Sequence, residues 1–390
     1  MTDRLYYTEP YLREFTARVA GRDSGGEIVF LDRTAFYPAS GGQPFDLGRI
    51  EDIPIVEVSD DDEGRVVHRL ASPLPEVIAE VRGAIDWERR FDHMQQHTGQ
   101  HLLSAVFEEM YSLHTVSFHL GAASATIDLE GGAVDNAILA AVERRSNEVV
   151  FENRPVTIQF EDARDARGLR KPSEREGTIR IITIDSLDRS ACGGTHVRAT
   201  GEIGAILIRK IEKIRQSVRV EFVCGGRAVR RARADYESLN RIAQLFSASL
   251  DDAPSMAAAL AESARSAEKS LRKAELELAG YHGKELYAAT TPGPDGVRRA
   301  SQRSVRGNLE ELRAVAQSFT AQSKAIFLAV LEEPPSVLLA VSEDSGIDAG
   351  KLVKTAVTGV GGRGGGNARI AQGSVPDVSR LGDVVNQLPG

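Results

Sequence analysis

The chain is organised around two short stretches, His97-Thr98-Gly99-Gln100-His101 and Cys192-Gly193-Gly194-Thr195-His196. In the first stretch the histidines stand four residues apart, and apolar residues follow at helical spacing from Leu102 to Phe107. Both imidazoles should therefore project from one face of a helix. In the second stretch two glycines let the backbone fold tightly enough to direct a thiol and an imidazole inward.

Three imidazoles and one thiolate form a donor set that suits zinc. Each stretch alone is weak evidence, because two histidines on an amphipathic helix are more often surface or core residues. In a chain with 2 cysteines and 8 histidines, however, the two stretches together predict one zinc ion per chain. The expected ligands are His97, His101, Cys192 and His196. His93, one helical turn before them, is expected to be a neighbour rather than a ligand.

The composition is that of a soluble globular protein, with 390 residues, 42% hydrophobic and 27% charged. This length suffices for two or three domains. The N-terminus has no apolar signal-peptide core, and the longest apolar run, Ala325 to Leu331, is too short to cross a bilayer. We therefore expect a cytoplasmic protein with no membrane partner and no disulfide framework.

The net charge of −8 argues against indiscriminate nucleic-acid binding, which requires a broad basic surface. A local basic track is still compatible with this charge. Arg227, Arg230, Arg231 and Arg233 fall mostly on one helical face. They are either a solvated face or a track for phosphate groups.

Residues 1–84 show short alternating strands separated by turn residues, which predicts a small β-barrel or sandwich. Within them a strand ends at Thr34 and enters a loop with adjacent glycines, Gly41-Gly42-Gln43, between two prolines. The glycines let the backbone approach a ligand, while Thr34 and Gln43 supply hydrogen-bonding side chains. An ordinary wide turn is the alternative.

Residues 85–225 have mixed α and β character and should form an α+β layer that contains the zinc site. Helices are expected at Arg89 to Met110 and Ala133 to Phe151. The predicted strands are Val156 to Phe160, Ile179 to Ile184, Ala205 to Lys210 and Arg219 to Val223. The cysteine-containing stretch falls between two of these strands.

Residues 226–290 should form a helical linker, with a break at Asp251 to Pro254 that favours a helical hairpin. Within it, apolar residues recur along the sequence at alternating intervals of four and three residues, which predicts an apolar seam on one helix face. Its members are Leu260, Ala264, Ala267, Leu271, Ala274, Leu278 and Tyr281. Two interpretations are open: a spacer against the neighbouring domain, or a homodimer formed through this helical region or the C-terminal region.

Residues 291–390 predict a C-terminal α/β domain with a glycine-rich segment from Gly359 to Asn367. This segment contains the dinucleotide-binding spacing, but a helix precedes it where that site needs a strand. A flexible glycine loop with Arg363, Gly364 and Gly365 is better interpreted as a site for phosphate or a nucleotide end. The expected fold is thus multidomain α+β: barrel, zinc-containing domain, helical linker and glycine-rich domain.

Taken together, these motifs resemble those of a known family. The resemblance is carried by Thr34 to Pro38 followed by Gly41-Gly42-Gln43, by the two metal-binding stretches, and by Gly362 to Gly366 with Ala371-Gln372-Gly373. In this order they resemble the editing domain of alanyl-tRNA synthetase. They are most similar to its free-standing relatives, the long class of AlaX proteins, which end in a DHH-associated domain.

The resemblance implies an elongation-factor-like barrel, a zinc-containing editing domain and a DHH-associated domain without its own catalytic motif. It also implies editing in trans, that is, hydrolysis of the ester in tRNA(Ala) mischarged with serine or glycine. Thr34 is the candidate contact for the serine hydroxyl, and Gln43 would position the ester carbonyl or the attacking water. Four protein ligands are typical of structural zinc, so a direct role and a purely structural role for the ion both remain open.

Two rival functions are compatible with the same motifs. One is a zinc-stabilised module that binds tRNA without cleaving it. The other is an editor of a different aminoacyl-tRNA, such as Ser-tRNA(Thr). A zinc peptidase is disfavoured because the helical motif lacks the glutamate base of HExxH.

Overall fold

A computed structural model describes residues 2–131, 134–172 and 176–389. The chain divides into two compact units, Met1–Arg241 and Ile242–Gly390. Both contain helices and strands, so the predicted multidomain α+β class is confirmed. Among the described residues, no helix has both the length and the apolar character needed to span a membrane.

The N-terminal segment forms the predicted barrel. Its strands are β1 (Asp3–Arg4), β2 (Glu14–Arg22), β3 (Ile28–Leu31), β4 (Arg33–Thr34), β5 (Gly48–Ile50), β6 (Ile53–Asp60), β7 (Val66–Leu70) and β8 (Glu80–Ile85). Six of them close in the order β2-β3-β7-β6-β5-β8. Buried and exposed residues alternate along β8, as expected when one face of a strand fills the barrel interior.

Helix α1 (Trp87–Tyr111) carries the first histidine pair and follows β8 directly. The Asp86 side chain caps its N-terminus by accepting a hydrogen bond from the Arg89 backbone N–H. The helix ends at Ser112, which adopts a left-handed conformation. Its middle part is buried on nearly all sides, so the histidines lie in the interior and not on the surface.

The rest of the first unit packs two sheets and a second helix around α1. These elements are β9 (Thr115–Leu120), β10 (Ala125–Glu130), α2 (Asn136–Glu152), β11 (Val156–Asp162), β12 (Thr178–Ile184), β13 (Asp188–Ala191), β14 (Ile206–Ile214) and β15 (Ser217–Cys224). The sheet orders are β14-β15-β10-β9 and β11-β12-β13. The four strands expected here are confirmed, whereas β9, β10 and β13 were not predicted. The expected start of α2 at Ala133 lies outside the described residues.

Helices α3 (Gly225–Leu245) and α4 (Ala253–Ala289) follow, with the break near Asp251 that the sequence predicted. All the large residues of the apolar seam on α4 are exposed. Their exposed fractions are 59% for Leu260, 61% for Leu271, 69% for Leu278 and 66% for Tyr281. Within its own unit, the seam therefore has no partner among the described residues that would bury it.

The C-terminal domain consists of β16 (Arg298–Arg306), α5 (Leu309–Thr320), β17 (Ala325–Glu333), β18 (Ser336–Val341), α6 (Ala349–Gly359), β19 (Arg363–Gly366), β20 (Ile370–Ser374) and α7 (Leu381–Val385). Its sheet has the order β16-β17-β18-β20-β19. The glycine segment was predicted as a flexible loop, which is wrong for Arg363–Gly366. These residues form an edge strand because their backbone pairs with β20.

Candidate metal centre

Two elements of the first unit bring the predicted ligands together. Helix α1 supplies His97 and His101, and the loop after β13 supplies Cys192 and His196. One potential ligand atom from each of the four residues lies within 4.8 Å of the other three. The Cys192 Sγ lies 3.5 Å from His97 Nε2 and 3.3 Å from His196 Nε2. The structure thus joins the two sequence stretches at one point.

The spacing of these donors fits a tetrahedral zinc ion. Zinc bonds of about 2.3 Å to sulfur and about 2.0 Å to nitrogen would separate the two donor atoms by roughly 3.6 Å. The sulfur–nitrogen distances given above are close to this value. Three imidazoles and one thiolate are also the donor types that zinc prefers. The residues present therefore fit the metal that the sequence predicted.

Each histidine is oriented by a hydrogen bond at its other ring nitrogen. His97 Nδ1 lies 2.8 Å from Gln43 Oε1, and His101 Nδ1 lies 2.8 Å from Asp188 Oδ2. His196 Nδ1 lies 3.1 Å from Thr98 Oγ1. In all three rings, Nε2 is left as the nitrogen available to a metal. Partners of this kind fix the ring orientation and tautomer of metal-binding histidines.

Asp188 is a site residue that the sequence reasoning missed. It is 4% exposed, and its carboxylate also accepts hydrogen bonds from Arg170 Nε at 2.7 Å and Ser190 Oγ at 2.9 Å. Its position four residues before Cys192 was a usable signal, because carboxylates commonly support metal-binding histidines. Thr98 was missed as well, although it lies inside the first stretch.

Burial and mutual contacts hold Cys192 and His196 in the form that binds a metal, but they favour a protonated His101. Burial alone would raise the pKa of the Cys192 thiol, but the nearby His97 and His196 imidazoles hold that pKa well below its ordinary value. Burial lowers the pKa of His196 to about 3, so this ring is neutral near pH 7. Burial opposes the charged form of His101 too, yet hydrogen bonds to Asp188 and Cys192 raise its pKa to about 9. Without a metal, the cluster thus holds a proton on His101 that an ion would displace.

Gln43, on the glycine loop, lies at the donor cluster, while its action on a substrate stays a prediction. Its Oε1 faces His97 and accepts the Thr195 backbone N–H at 3.1 Å, while its Nε2 donates to Thr195 Oγ1 at 2.9 Å. Gly42 has a φ of +85°, and a Cβ there would lie 2.9 Å from the Phe118 carbonyl oxygen. Only glycine allows this close approach of the loop to β9.

Thr34 lies elsewhere, inside the barrel. It is fully buried, and its Oγ1 lies 2.9 Å from His68 Nε2 and accepts the Phe36 backbone N–H at 3.1 Å. The structure therefore brings Gly41 and Gln43 to the metal ligands, with Gly42 between them in the chain, but does not place Thr34 among them. Contact between Thr34 and a substrate stays a prediction.

A buried ion pair that the sequence did not reveal attaches the glycine loop to α1. Arg90 and Asp46 are both fully buried, with Arg90 Nε 3.0 Å from each carboxylate oxygen. Arg90 also donates to the Pro10 carbonyl oxygen at 2.9 Å, and Asp46 accepts the Tyr37 backbone N–H at 2.7 Å. Because the loop lies between Tyr37 and Asp46, these bonds fix both of its ends.

Two cavities meet at the metal ligands. The larger has a volume of about 520 Å³ and includes Arg170 and Lys171 in its lining, while the smaller has about 170 Å³ and is lined partly by tyrosines. His97, Cys192 and Gly41 line both of them. Phe118, in the larger cavity, stacks on the His97 ring with centroids 5.3 Å apart.

The other predicted binding residues lie in the C-terminal unit. Arg363, Gly364 and Gly365 line a cavity of about 900 Å³ together with residues of β20. A Cβ at Gly365 would meet no atom within 4 Å, so a ligand has room to approach its backbone. Binding of a phosphate or nucleotide end by these three residues stays a prediction.

Comparison with known proteins agrees with this arrangement. Residues 179–220 match the family model described as the threonyl and alanyl tRNA synthetase second additional domain, and residues 299–388 match the DHHA1 domain. The alanyl-tRNA editing protein AlaX-L of Pyrococcus horikoshii is 32% identical over 96% of this chain and 95% of its own length. The chain belongs to the AlaX family of alanyl-tRNA editing proteins, long class.

Two further relatives extend the comparison of this AlaX family member. The alanyl-tRNA editing protein Aarsd1 of Mus musculus is 28% identical over 96% of this chain and 95% of its own length. The alanine–tRNA ligase of Pyrococcus abyssi is 31% identical over 99% of this chain, which spans 43% of the ligase. The resemblance inferred from the sequence motifs is therefore confirmed.

Proposed function

We propose that this protein is a trans-editing hydrolase that deacylates mischarged tRNA(Ala), chiefly Ser-tRNA(Ala), with Gly-tRNA(Ala) as a second substrate. The observation that carries the proposal is the convergence of His97, His101, Cys192 and His196 at the junction of two cavities. Membership of the AlaX family supports the same activity, because its named members are alanyl-tRNA editing proteins.

The chemistry of the substrates explains why a second site is needed. A pocket that accepts alanine rejects a side chain with one extra hydroxyl only by about 10²-fold. A site that hydrogen-bonds this hydroxyl discriminates better, because alanine would leave a buried polar group unpaired. Editing after aminoacylation therefore separates serine from alanine more sharply than the first selection does.

The two cavities suggest which part of the substrate binds in each. The cavity of about 520 Å³ is large enough for a nucleoside, and it has basic residues in its lining. The cavity of about 170 Å³ suits a small aminoacyl group. The terminal adenosine would occupy the first and the amino acid the second, with the ester between them beside His97 and Cys192.

Zinc held by the four ligands would supply a Lewis acid or a bound water with a pKa of about 7. Because His97 and Cys192 line the cavities themselves, a direct role fits better than a purely structural one. Gln43 acts as a positioning residue in this proposal, since its amide group holds His97 and the loop that contains Thr195. Direct contact between Gln43 and the ester is the alternative assignment for the same residue.

The decisive experiment measures deacylation of Ser-, Gly- and Ala-tRNA(Ala) by the zinc-loaded protein, after chelation, and after reloading. The proposal expects rapid loss of serine, slower loss of glycine, stable alanine, and activity that disappears and returns with the metal. Intact Ser-tRNA(Ala) bound by the protein would instead indicate the zinc-stabilised binding module. The same assay with Ser-tRNA(Thr) tests the other alternative, an editor of a different aminoacyl-tRNA. Preferential hydrolysis of Ser-tRNA(Thr) would support that alternative.

The role of Thr34 is tested separately through the ratio of two substrates. If its hydroxyl bonds the serine side chain, Thr34→Val should slow Ser-tRNA(Ala) deacylation by about tenfold relative to Gly-tRNA(Ala), because one hydrogen bond is lost. If Thr34 only supports His68, both rates should fall together. Zinc content and thermal unfolding serve as controls for folding, and an unchanged serine-to-glycine ratio would remove Thr34 from the substrate contacts.

We further propose that Arg363, Gly364 and Gly365 bind a phosphate or nucleotide end of the tRNA. An exposed arginine beside open backbone suits such a group. Arg363→Ala should weaken binding of uncharged tRNA(Ala) in a filter-binding assay, with Arg380→Ala, an exposed arginine outside that cavity, as the matched control. Equal affinities for the two variants would contradict this assignment.

A further inference from the structure

A third cavity of the first unit lies apart from the two at the metal centre. It has a volume of about 930 Å³ and lies between the first turns of α1, the first turns of α3 and the turn that joins β9 to β10. It shares no lining residue with the cavities at the metal ligands. Because Trp87 lines it, we call it the Trp87 cleft. No part of the proposed deacylation uses this space.

The lining of the cleft includes a buried histidine with an unpaired ring nitrogen, which indicates the kind of ligand that the cleft binds. His93 lines the cleft and is 3% exposed, yet no described residue bonds its Nδ1. Buried polar groups are nearly always paired, so an unpaired one calls for an explanation. Burial, the largest effect, and the nearby Arg89 lower the pKa of His93 to about 4, which keeps the ring neutral. A neutral imidazole both donates and accepts hydrogen bonds, as recognition of a nucleobase edge requires.

The wall of the cleft provides aromatic surface. Trp87 and Phe91 are only partly buried, and their ring centroids lie 5.6 Å apart. The Arg13 guanidinium lies 4.3 Å from the Trp87 ring centroid and supports the tryptophan. Aromatic side chains beside open space are the usual stacking platform for unpaired bases.

The arginines of the cleft on α3 differ in how closely they are paired. Arg227 is buried and bonds the Asp92 carboxylate, with its closest contact at 2.7 Å, as well as the Gly121 carbonyl oxygen. Arg230 is different, because its side chain is 67% exposed and its nearest carboxylate oxygen, on Asp92, is 3.9 Å away. Arg230 is therefore free to contact a phosphate group at the mouth of the cleft.

Three chain segments contribute to both the Trp87 cleft and the metal centre. His93 lies one helical turn before His97 on α1. The glycine loop supplies Gly41 to the metal centre and Pro44 to the cleft, and β9 with its turn supplies Phe118 and Gly121. A nucleic-acid strand that ends at the metal centre can thus continue into the cleft beside it.

We propose that the Trp87 cleft binds a nucleotide, with the base stacked on Trp87 and Phe91, its edge hydrogen-bonded to His93, and a phosphate at Arg230. We favour the unpaired 3′ strand of tRNA, next to the terminal adenosine, as the source of this nucleotide, and this choice rests on the proposed function. A free mononucleotide has the same chemistry and is the other source.

The test uses Trp87 itself, since the chain contains 1 tryptophan. The zinc-loaded full chain is titrated with the RNA trinucleotide CCA and, separately, with AMP, while tryptophan emission is recorded. The expected result is a saturable change in emission. Arg230→Glu should weaken binding about tenfold, because a charged hydrogen bond to phosphate is lost.

Arg233→Glu is the matched control. Arg233 lies on the same helix, and its side chain is 68% exposed. Because it pairs with Glu237 and does not line the cleft, we assign it to the solvated face and not to a phosphate track. Both substitutions make the same change in charge, so a general electrostatic effect would weaken both variants equally. Tighter binding of CCA than of AMP assigns the cleft to the tRNA strand, and equal binding assigns it to nucleotides in general.

The proposal fails if neither ligand changes the emission of Trp87, or if the two variants bind alike. A second readout separates this failure from failure of the proposed function. With Ser-tRNA(Ala), Arg230→Glu should raise KM about tenfold and leave kcat unchanged, whereas Arg233→Glu should change neither. An active wild-type enzyme with an unaffected Arg230→Glu variant would refute the cleft alone, while an inactive wild type would refute deacylation and leave the fluorescence titration to decide the cleft.

Discussion

The metal centre and the apolar seam on α4 differ in whether their side chains have partners within the chain. At the metal centre, each of the three ligand histidines has a partner for its outer nitrogen, and Gln43, Thr98 and Asp188 supply those partners. On α4 the large apolar residues of the seam are exposed. The first region supplies donors that the chain itself holds in place, whereas the second leaves apolar side chains exposed. The two regions therefore predict different kinds of sensitivity.

The largest effect is expected from the carboxylate that supports His101. Asp188→Asn removes the negative charge that orients this ring and pairs with Arg170, so zinc affinity should fall about 10- to 100-fold. Competition with a chromogenic chelator measures the affinity. Asp185→Asn is the control, because Asp185 lies in the connection that leads from β12 to Asp188 but is exposed. Equal zinc affinities in the two variants would show that the hydrogen bond to His101 does not support the metal.

The next effect concerns acid stability of the metal-free protein. His68 is buried with its pKa lowered to about 4 by desolvation, against an ordinary value of 6.5. The unfolded chain therefore binds a proton between these pH values while the folded chain does not. This contribution is fully present above pH 6.5 and is lost as the pH falls to 4, by about 3 kcal/mol.

Urea unfolding in the presence of a chelator measures this loss. His68→Gln should be less stable at pH 7 yet show a shallower decrease toward pH 4, because glutamine does not titrate. His93 and His196 also have lowered pKa values and titrate in the same acid window in both proteins, so the difference between the two slopes isolates His68. His101 shifts in the opposite direction, and its contribution is lost only as the pH rises toward 9. Identical pH slopes for the wild type and His68→Gln would contradict the assignment.

The smallest effect on folding is expected at the seam, where we propose that a second copy of the chain packs. Leu271→Glu should convert a dimer to a monomer in sedimentation experiments while changing the free energy of unfolding of the monomer by about 0.5 kcal/mol or less. Ser270→Glu places the same charge one residue away from the seam and should leave the dimer intact. A wild-type chain that is monomeric at high concentration would favour the spacer interpretation.

Features that depend on local residue spacing could be predicted from the sequence. Local spacing was sufficient for the metal ligands, because the positions of His97 and His101 on one helix face depend only on helical geometry. Spacing also predicted α1 and the break before α4 closely. The family resemblance then joined these local features in the correct order.

Features that depend on long-range pairing were not predicted. The buried pair Arg90–Asp46 and the cleft around Trp87 arise only when the barrel and α1 are packed together. Strand β16 was missed because its many arginines mask an alternating pattern on a sheet edge. The glycines of β19 indicated a flexible loop, and only backbone pairing with β20 reveals the strand.

X-ray absorption at the zinc edge of the loaded protein tests the central claim most directly. A zinc ion held by His97, His101, Cys192 and His196 should show one sulfur at about 2.3 Å and three nitrogens at about 2.0 Å, with the sulfur lost in Cys192→Ser. A zinc shell of nitrogen and oxygen alone, unchanged by this substitution, would contradict it.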